Sequence, residues 1–188
     1  EPCDEYHYNP EFPVSTRGGN TCCNPDLVPW GSYDQRSTEM RNDVLVYTSG
    51  PLEQDLEVTG PVILKLFAST DGRDTDFTAK LVDVSPDGYA VNLCDGIIRG
   101  RYRNTTSEGE LLEPNQIYEF TIDLWVTSNV FLKGHRIRVD ISSSNYPRFD
   151  RNPNTGNAFG QDSEIRIAHQ KIFHTNKHKS QIILPVIP

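Results

Sequence analysis

The chain has 188 residues, 36% hydrophobic and 23% charged, with 18 Lys and Arg against 26 Asp and Glu and a formal net charge of −8. That length fits one domain with a single sizeable core. The acidic balance argues against nucleic acid as a partner, because phosphate backbones are held by clustered cations, and no apolar run approaches the roughly 18 residues of a membrane span.

Residues 1–40 are predicted to be irregular. Asn9-Pro10, Phe12-Pro13, Gly18-Gly19, Asn24-Pro25 and Val28-Pro29 punctuate them too often for a regular element. So long a segment needs a surface to lie against, and a partner domain is the expected one. The start, Glu1-Pro2-Cys3, reads as a cut end without the basic-then-apolar pattern of a signal peptide. Four cysteines (Cys3, Cys22, Cys23 and Cys94) make no disulfide framework. Cys94 reads as an inert packed thiol. Pairing of Cys3 with Cys22 or Cys23 stays open, and the low cysteine count is compatible with the cytoplasm.

From residue 41 to 188 the pattern is that of one β domain. Residues 44–47 form a short strand; in 62–70, Val62, Leu64, Leu66 and Ala68 share a face; 78–84 follows with a register break. Residues 89–94 and 97–103 flank Asp95-Gly96, a favoured two-residue hairpin turn. Tyr118, Phe120, Ile122, Leu124 and Val126 give the cleanest period-two stripe, and Ile137, Val139 and Ile141 repeat it. Residues 164–173 and 181–186 supply the last two strands. No window shows a helical apolar stripe, and no internal repeat or low-complexity tract is present. The fold class is therefore all-β: an antiparallel β-sandwich, with a jelly roll as the expected version.

The run 142–156 changes from strand to a polar loop with Pro147, Pro153, three asparagines and a closing Gly156. Each proline fixes its own φ and biases its predecessor away from helix, while asparagine bonds its neighbours and tolerates left-handed backbone. Two readings stand: a shaped docking surface, or a self-bonded turn that closes the sandwich.

Candidate chemistry is sparse. There is no Gly-x-Ser-x-Gly; Thr105-Thr106-Ser107-Glu108-Gly109 lacks the first glycine and a strand-to-helix elbow. Ser142, Ser143 and Ser144 with His135 and Asp140 make a poor triad, because alternate strand residues point to opposite faces. His169, His174 and His178 straddle a strand and a turn and lack an evident fourth ligand. Asp71, Asp74 and Asp76 offer oxygens to calcium, but an Asp/Gly turn bonded to its own backbone is the favoured reading. Trp30 and Trp125 raise a free-standing carbohydrate-binding module as the alternative function, with Trp125 expected in packing. No metal or cofactor is expected.

Longer motifs carry a resemblance. They include Tyr33-Asp34-Gln35-Arg36, Arg41-Asn42-Asp43-Val44-Leu45-Val46-Tyr47, Asp74-Thr75-Asp76-Phe77-Thr78-Ala79-Lys80-Leu81-Val82-Asp83-Val84, Cys94-Asp95-Gly96-Ile97-Ile98-Arg99 and Phe131-Leu132-Lys133-Gly134-His135-Arg136-Ile137-Arg138, together with the run 142–156. From about residue 8 to 187 the chain resembles the C-terminal domain of the CocE/NonD hydrolases, a family of cocaine-esterase, α-amino acid ester hydrolase and X-Pro dipeptidyl-peptidase types. The resemblance implies a galactose-binding-like jelly roll packed on an α/β-hydrolase domain of the same polypeptide, which carries the Ser-Asp-His triad and takes a small ester or peptide substrate. It implies that Asn20, Thr21, Cys22, Cys23 and Asn24 wall the substrate pocket. An interface with the catalytic domain is expected at Asn145, Arg148, Asp150, Arg151, Asn152 and Asn154, since contacts within one chain are fairly polar.

Overall fold

The computed structural model describes residues 2–22, 24–158 and 160–188. Among them, nine strands pair antiparallel in two sheets. In one, β1 (Asp4–Tyr8), β8 (Ala168–Phe173), β3 (Leu56–Thr70) and β6 (Tyr118–Phe131) follow in that order, and β9 (Gln181–Ile183) also pairs with β3. In the other the order is β2 (Leu45–Thr48), β7 (Arg136–Ser142), β4 (Asp76–Val84) and β5 (Ala90–Arg99). The two sheets enclose one core and make an antiparallel β-sandwich.

The period-two stripes build that core. Phe120, Ile122 and Leu124 of β6 are buried while Glu119, Thr121 and Asp123 between them are exposed. Leu64, Leu66 and Ala68 of β3 lie beside them in the same sheet, and Phe77, Ala79 and Leu81 of β4 with Val139 and Ile141 of β7 come from the other. The Phe77 and Phe120 rings meet at 4.9 Å across the layers. Each such side chain contributes about 1.5–3 kcal/mol on burial.

The structure departs from the sequence expectation in five places. Residues 4–8 are not irregular: β1 pairs with β8 over its whole length, with Tyr6 and Tyr8 pointing into the core. Helical structure exists, as one turn, α1 (Arg36–Glu39), and a 3-10 turn at Gly100–Tyr102. Asp95-Gly96 is no hairpin turn but the middle of β5, opposite Lys80 and Ala79. Any side chain at Gly96 would run into the carbonyl of Asp123, so the glycine is there to let β5 and β6 close one side of the sandwich. Trp125, expected in packing, is 61% exposed. Its φ of 69° belongs to an irregularity in β6 opposite the register shift between Pro61 and Ile63, which turns the ring to solvent. The last strands are also shorter than their apolar patterns.

Cys3 and Cys94 are free thiols, so Cys3 does not pair, and Cys22 is disulfide-bonded. Burial, with Asp95 and Asp123 adding, pushes the Cys94 thiol up to about 12, which fits an unreactive packed residue.

Candidate functional site

Two segments far apart in sequence meet on the outer face of the four-stranded sheet. The chain leaving β7 runs beside residues 14–16: Val14 N–H donates to Ser144 Oγ (2.8 Å), Tyr146 N–H to the Val14 carbonyl (2.9 Å) and Thr16 N–H to the Tyr146 carbonyl (2.6 Å). Arg148 N–H then reaches Thr16 Oγ1 at 3.2 Å. The start of the N-terminal segment is thus laid down as an extra, parallel partner of the 142–156 loop.

The next residues form a loop with a closed neck. Gly19 and Gly31 exchange both backbone hydrogen bonds, at 2.7 and 2.9 Å. Gly18 and Gly19 both hold positive φ, and a side chain at Gly18 would collide with the Gly31 carbonyl. Gly19 rests on an ion pair between the Arg148 guanidinium and the Asp95 carboxylate, whose second oxygen accepts from Asn145 Nδ2 at 2.7 Å. Beyond the neck, Asn20, Cys22 and Asn24 are exposed and Thr21 half-buried, while Cys23 lies outside the described residues. Val28 anchors the loop; Leu27 and Trp30 stand out from it at 67% and 51% exposure.

Underneath lies a buried polar layer. Gln35, fully buried, accepts from Lys80 Nζ (3.0 Å), and its Nε2 lies within bonding distance of the Arg17 and Tyr33 carbonyls and Asn92 Oδ1. Burial lowers the Lys80 ammonium below its usual value. Asp140, paired with Lys80 in the β4–β7 register, is buried with neither carboxyl oxygen bonded. Burial first, then repulsion from Glu39, raises its carboxyl to about 7.

The expected interface residues divide. Asn145 points inward to Asp95. Asn152 Nδ2 donates to Asp74 (3.1 Å) and Asp76 (2.8 Å); Asn154, at a φ of 65°, bonds Thr75 and the Arg166 carbonyl. These three asparagines are buried in this domain, where neighbouring carboxylates and a backbone carbonyl take their Nδ2 donors. Arg148 is spent on Asp95 in the same way. Asp150 and Arg151 do face solvent, Asp150 touching Arg99 (2.9 Å) and Arg151 the Pro10 carbonyl (2.9 Å). Exposed Phe12 and Tyr146, which sequence reasoning passed over, flank the same joined segments.

The chemistry left open by the sequence is taken up structurally. Asp71, Asp74 and Asp76 are each engaged by an arginine: Arg166, Arg101 and Arg99. His169, His174 and His135 pair with Glu5, Asp4 and Asp83. Ser142 Oγ meets Thr78, Ser143 Oγ meets Tyr6 and Gln170, and Ser144 Oγ accepts from Val14, so none faces a histidine. Among the described residues no three metal-binding side chains converge.

Among the described residues, then, the sandwich carries a pinned surface loop, and none of Ser142, Ser143 and Ser144 faces a histidine. Residues 6–183 match the X-Pro dipeptidyl-peptidase C-terminal non-catalytic domain, and the chain belongs to that family. Its relatives are hydrolases of the CocE/NonD type. Over its full length it is 48% identical to cocaine esterase from Rhodococcus sp., of which it spans 33%. A putative serine esterase of Mycobacterium bovis is 32% identical over 77% of the chain and 24% of its own length. Among solved structures, an aminopeptidase from a marine sediment archaeon superposes with a TM-score of 0.90 at 36% identity, covering all of this chain and 33% of that one. An α-amino acid ester hydrolase matches at 0.90 and 32% identity, over 98% of this chain and 32% of its own. The chain thus spans about a third of these relatives or less.

Proposed function

We propose that this domain serves a serine hydrolase of the α/β-hydrolase type, cleaving small esters or amides, X-Pro peptides among them, by docking on its catalytic domain and walling its substrate pocket. The fold is read as a galactose-binding-like jelly roll. The observation that carries the proposal is the loop beyond the glycine neck: the neck rests on a buried ion pair, yet Asn20, Cys22, Asn24, Leu27 and Trp30 are exposed. A rigid neck under a protruding, partly apolar loop suits a wall that must hold its shape against a substrate. Asn20, Thr21, Cys22 and Asn24 are the wall residues; Asp150 and Arg151, with Phe12 and Tyr146, are the docking residues. The carbohydrate-binding alternative is weaker, because it rests on Trp30 and Trp125 being exposed, whereas a family match over residues 6–183 supports the hydrolase reading.

The test is labelling with a fluorophosphonate, which reacts with activated serines. The natural polypeptide carrying this chain should be labelled, and residues 1–188 alone should not. Labelling of residues 1–188, or no reactive serine in the natural polypeptide, overturns the proposal.

A further inference from the structure

Away from the loop face, the sandwich has an opening of its own. β8 and β9 lie end to end along the same flank of β3, but β1 pairs only with β8. Among the described residues no strand pairs with the outer side of β9, and across the gap β2 is the last strand of the other sheet. A slot of about 310 Å³ enters the core between them, at the low end of the roughly 300–1,000 Å³ range of small-molecule sites. Leu64, Leu66, Val139, Ile141 and Ile172 form its inner walls and Ile182 its rim. These walls are core residues, and a volume of about 310 Å³ suits a small aliphatic chain better than a helix or strand of a partner.

The mouth is polar. The Tyr47 and His174 rings both line it, and both bond one oxygen of Asp4: Tyr47 OH at 2.8 Å and His174 Nε2 at 2.9 Å. Asp4 thus sits where the two lining rings meet, partly exposed and paired with His174. The other charges on the rim come from the far face: Arg138 reaches Thr48 Oγ1 but is compensated by Glu39, and Arg136 donates to the Ser49 carbonyl. An apolar slot with a carboxylate bonded to two of its lining rings is complementary to a hydrocarbon with a cationic head.

We propose that this slot is a binding site for a small primary alkylamine, its chain between the sheets and its ammonium on Asp4. The site is independent of the hydrolase reading and lies in this domain alone.

The test is titration of the methyl-labelled protein with hexylamine, hexanol and hexanoate, followed by NMR. Saturable shifts in the Leu66, Ile141 and Ile172 methyls, with hexylamine bound most tightly, are expected. Asp4→Asn should weaken hexylamine about tenfold, the scale of one charge-assisted hydrogen bond, and leave hexanol unchanged. Ile182→Trp, which fills the rim, should abolish binding of both. The proposal is overturned by absence of saturable shifts at these methyls, by equal affinity for hexylamine and hexanol, or by tighter binding of hexanoate, which would put the head on Arg136. Shifts that persist in a folded Ile182→Trp protein overturn it as well; should that variant not fold, the methyl map and Asp4→Asn decide.

Discussion

Arg148 and Asp95 form a buried ion pair that supports Gly19 at the neck of the surface loop, although 76 and 129 residues of chain separate Gly19 from the two partners. The side chains are 11% and 3% exposed, so solvent screens them little. Removing one partner leaves the other charge buried without compensation, which typically costs about 3–5 kcal/mol. Arg148→Met should therefore destabilise the domain by about 3 kcal/mol in urea unfolding. The double variant with Asp95→Leu should cost clearly less than the sum of the two single changes. Additive losses would mean that the pair is not coupled.

Gly96 carries a second prediction. β5 and β6 approach there until the Asp123 carbonyl occupies the space of a side chain. Gly96→Ala requires the strands to separate along a fully packed edge, a backbone clash rather than a flexible one. The expected loss is about 3 kcal/mol or more, visible as a fall in melting temperature. Gly50→Ala, where open space surrounds the position, is the control and should melt like the parent. Equal melting of both variants would refute the close approach.

Gly96 also shows where the sequence could mislead. Asp-Gly between two apolar runs is the chemistry of a tight turn, and a glycine admitting a neighbouring strand looks the same in one dimension. The stripe at 118–124 was legible because it has one wet and one buried face, and that at 137–141 because Ile137, Val139 and Ile141 alternate with polar residues, although Asp140 is buried too. β1 was not, since only Tyr6 and Tyr8 of its five residues face the core, in a segment crowded with prolines. At the site, local chemistry marked 142–156 as a structured loop. It could not tell that Asn145, Asn152 and Asn154 turn inward, because their partners Asp95, Asp74, Asp76 and Thr75 lie 50 or more residues away. Nor could it show that this loop carries the 18–24 segment, a contact made through backbone groups at Val14, Thr16 and Tyr146.

Asp150 separates docking from folding. Its carboxylate is 54% exposed, and its contact with Arg99 is a surface ion pair, worth about 1 kcal/mol at most. Arg99 keeps its buried partner Asp76 regardless. Asp150→Ala should therefore leave the melting of this domain nearly unchanged while lowering the hydrolase activity proposed for the natural polypeptide. Unchanged kinetics would remove Asp150 from the docking surface. A large loss of domain stability would instead make it structural.

Asp140 should give the domain an unusual pH dependence. The groups facing it are Glu39 from α1, Lys80 from β4 and Arg138 from its own strand. Burial and Glu39 raise its carboxyl to about 7, against about 3.9 in an unfolded chain. Between these values the folded state holds a proton that the unfolded state releases. The stabilisation this provides is therefore complete at low pH, shrinks as pH rises from about 4 to 7, and is gone above 7. Asp140→Asn, which cannot ionise, should gain on the parent by about 2–3 kcal/mol between pH 5 and pH 8 in urea unfolding. The opposite slope would mean that Asp140 is ionised in the fold and held by Lys80. A difference that stays constant across this range would mean that its proton plays no part in stability.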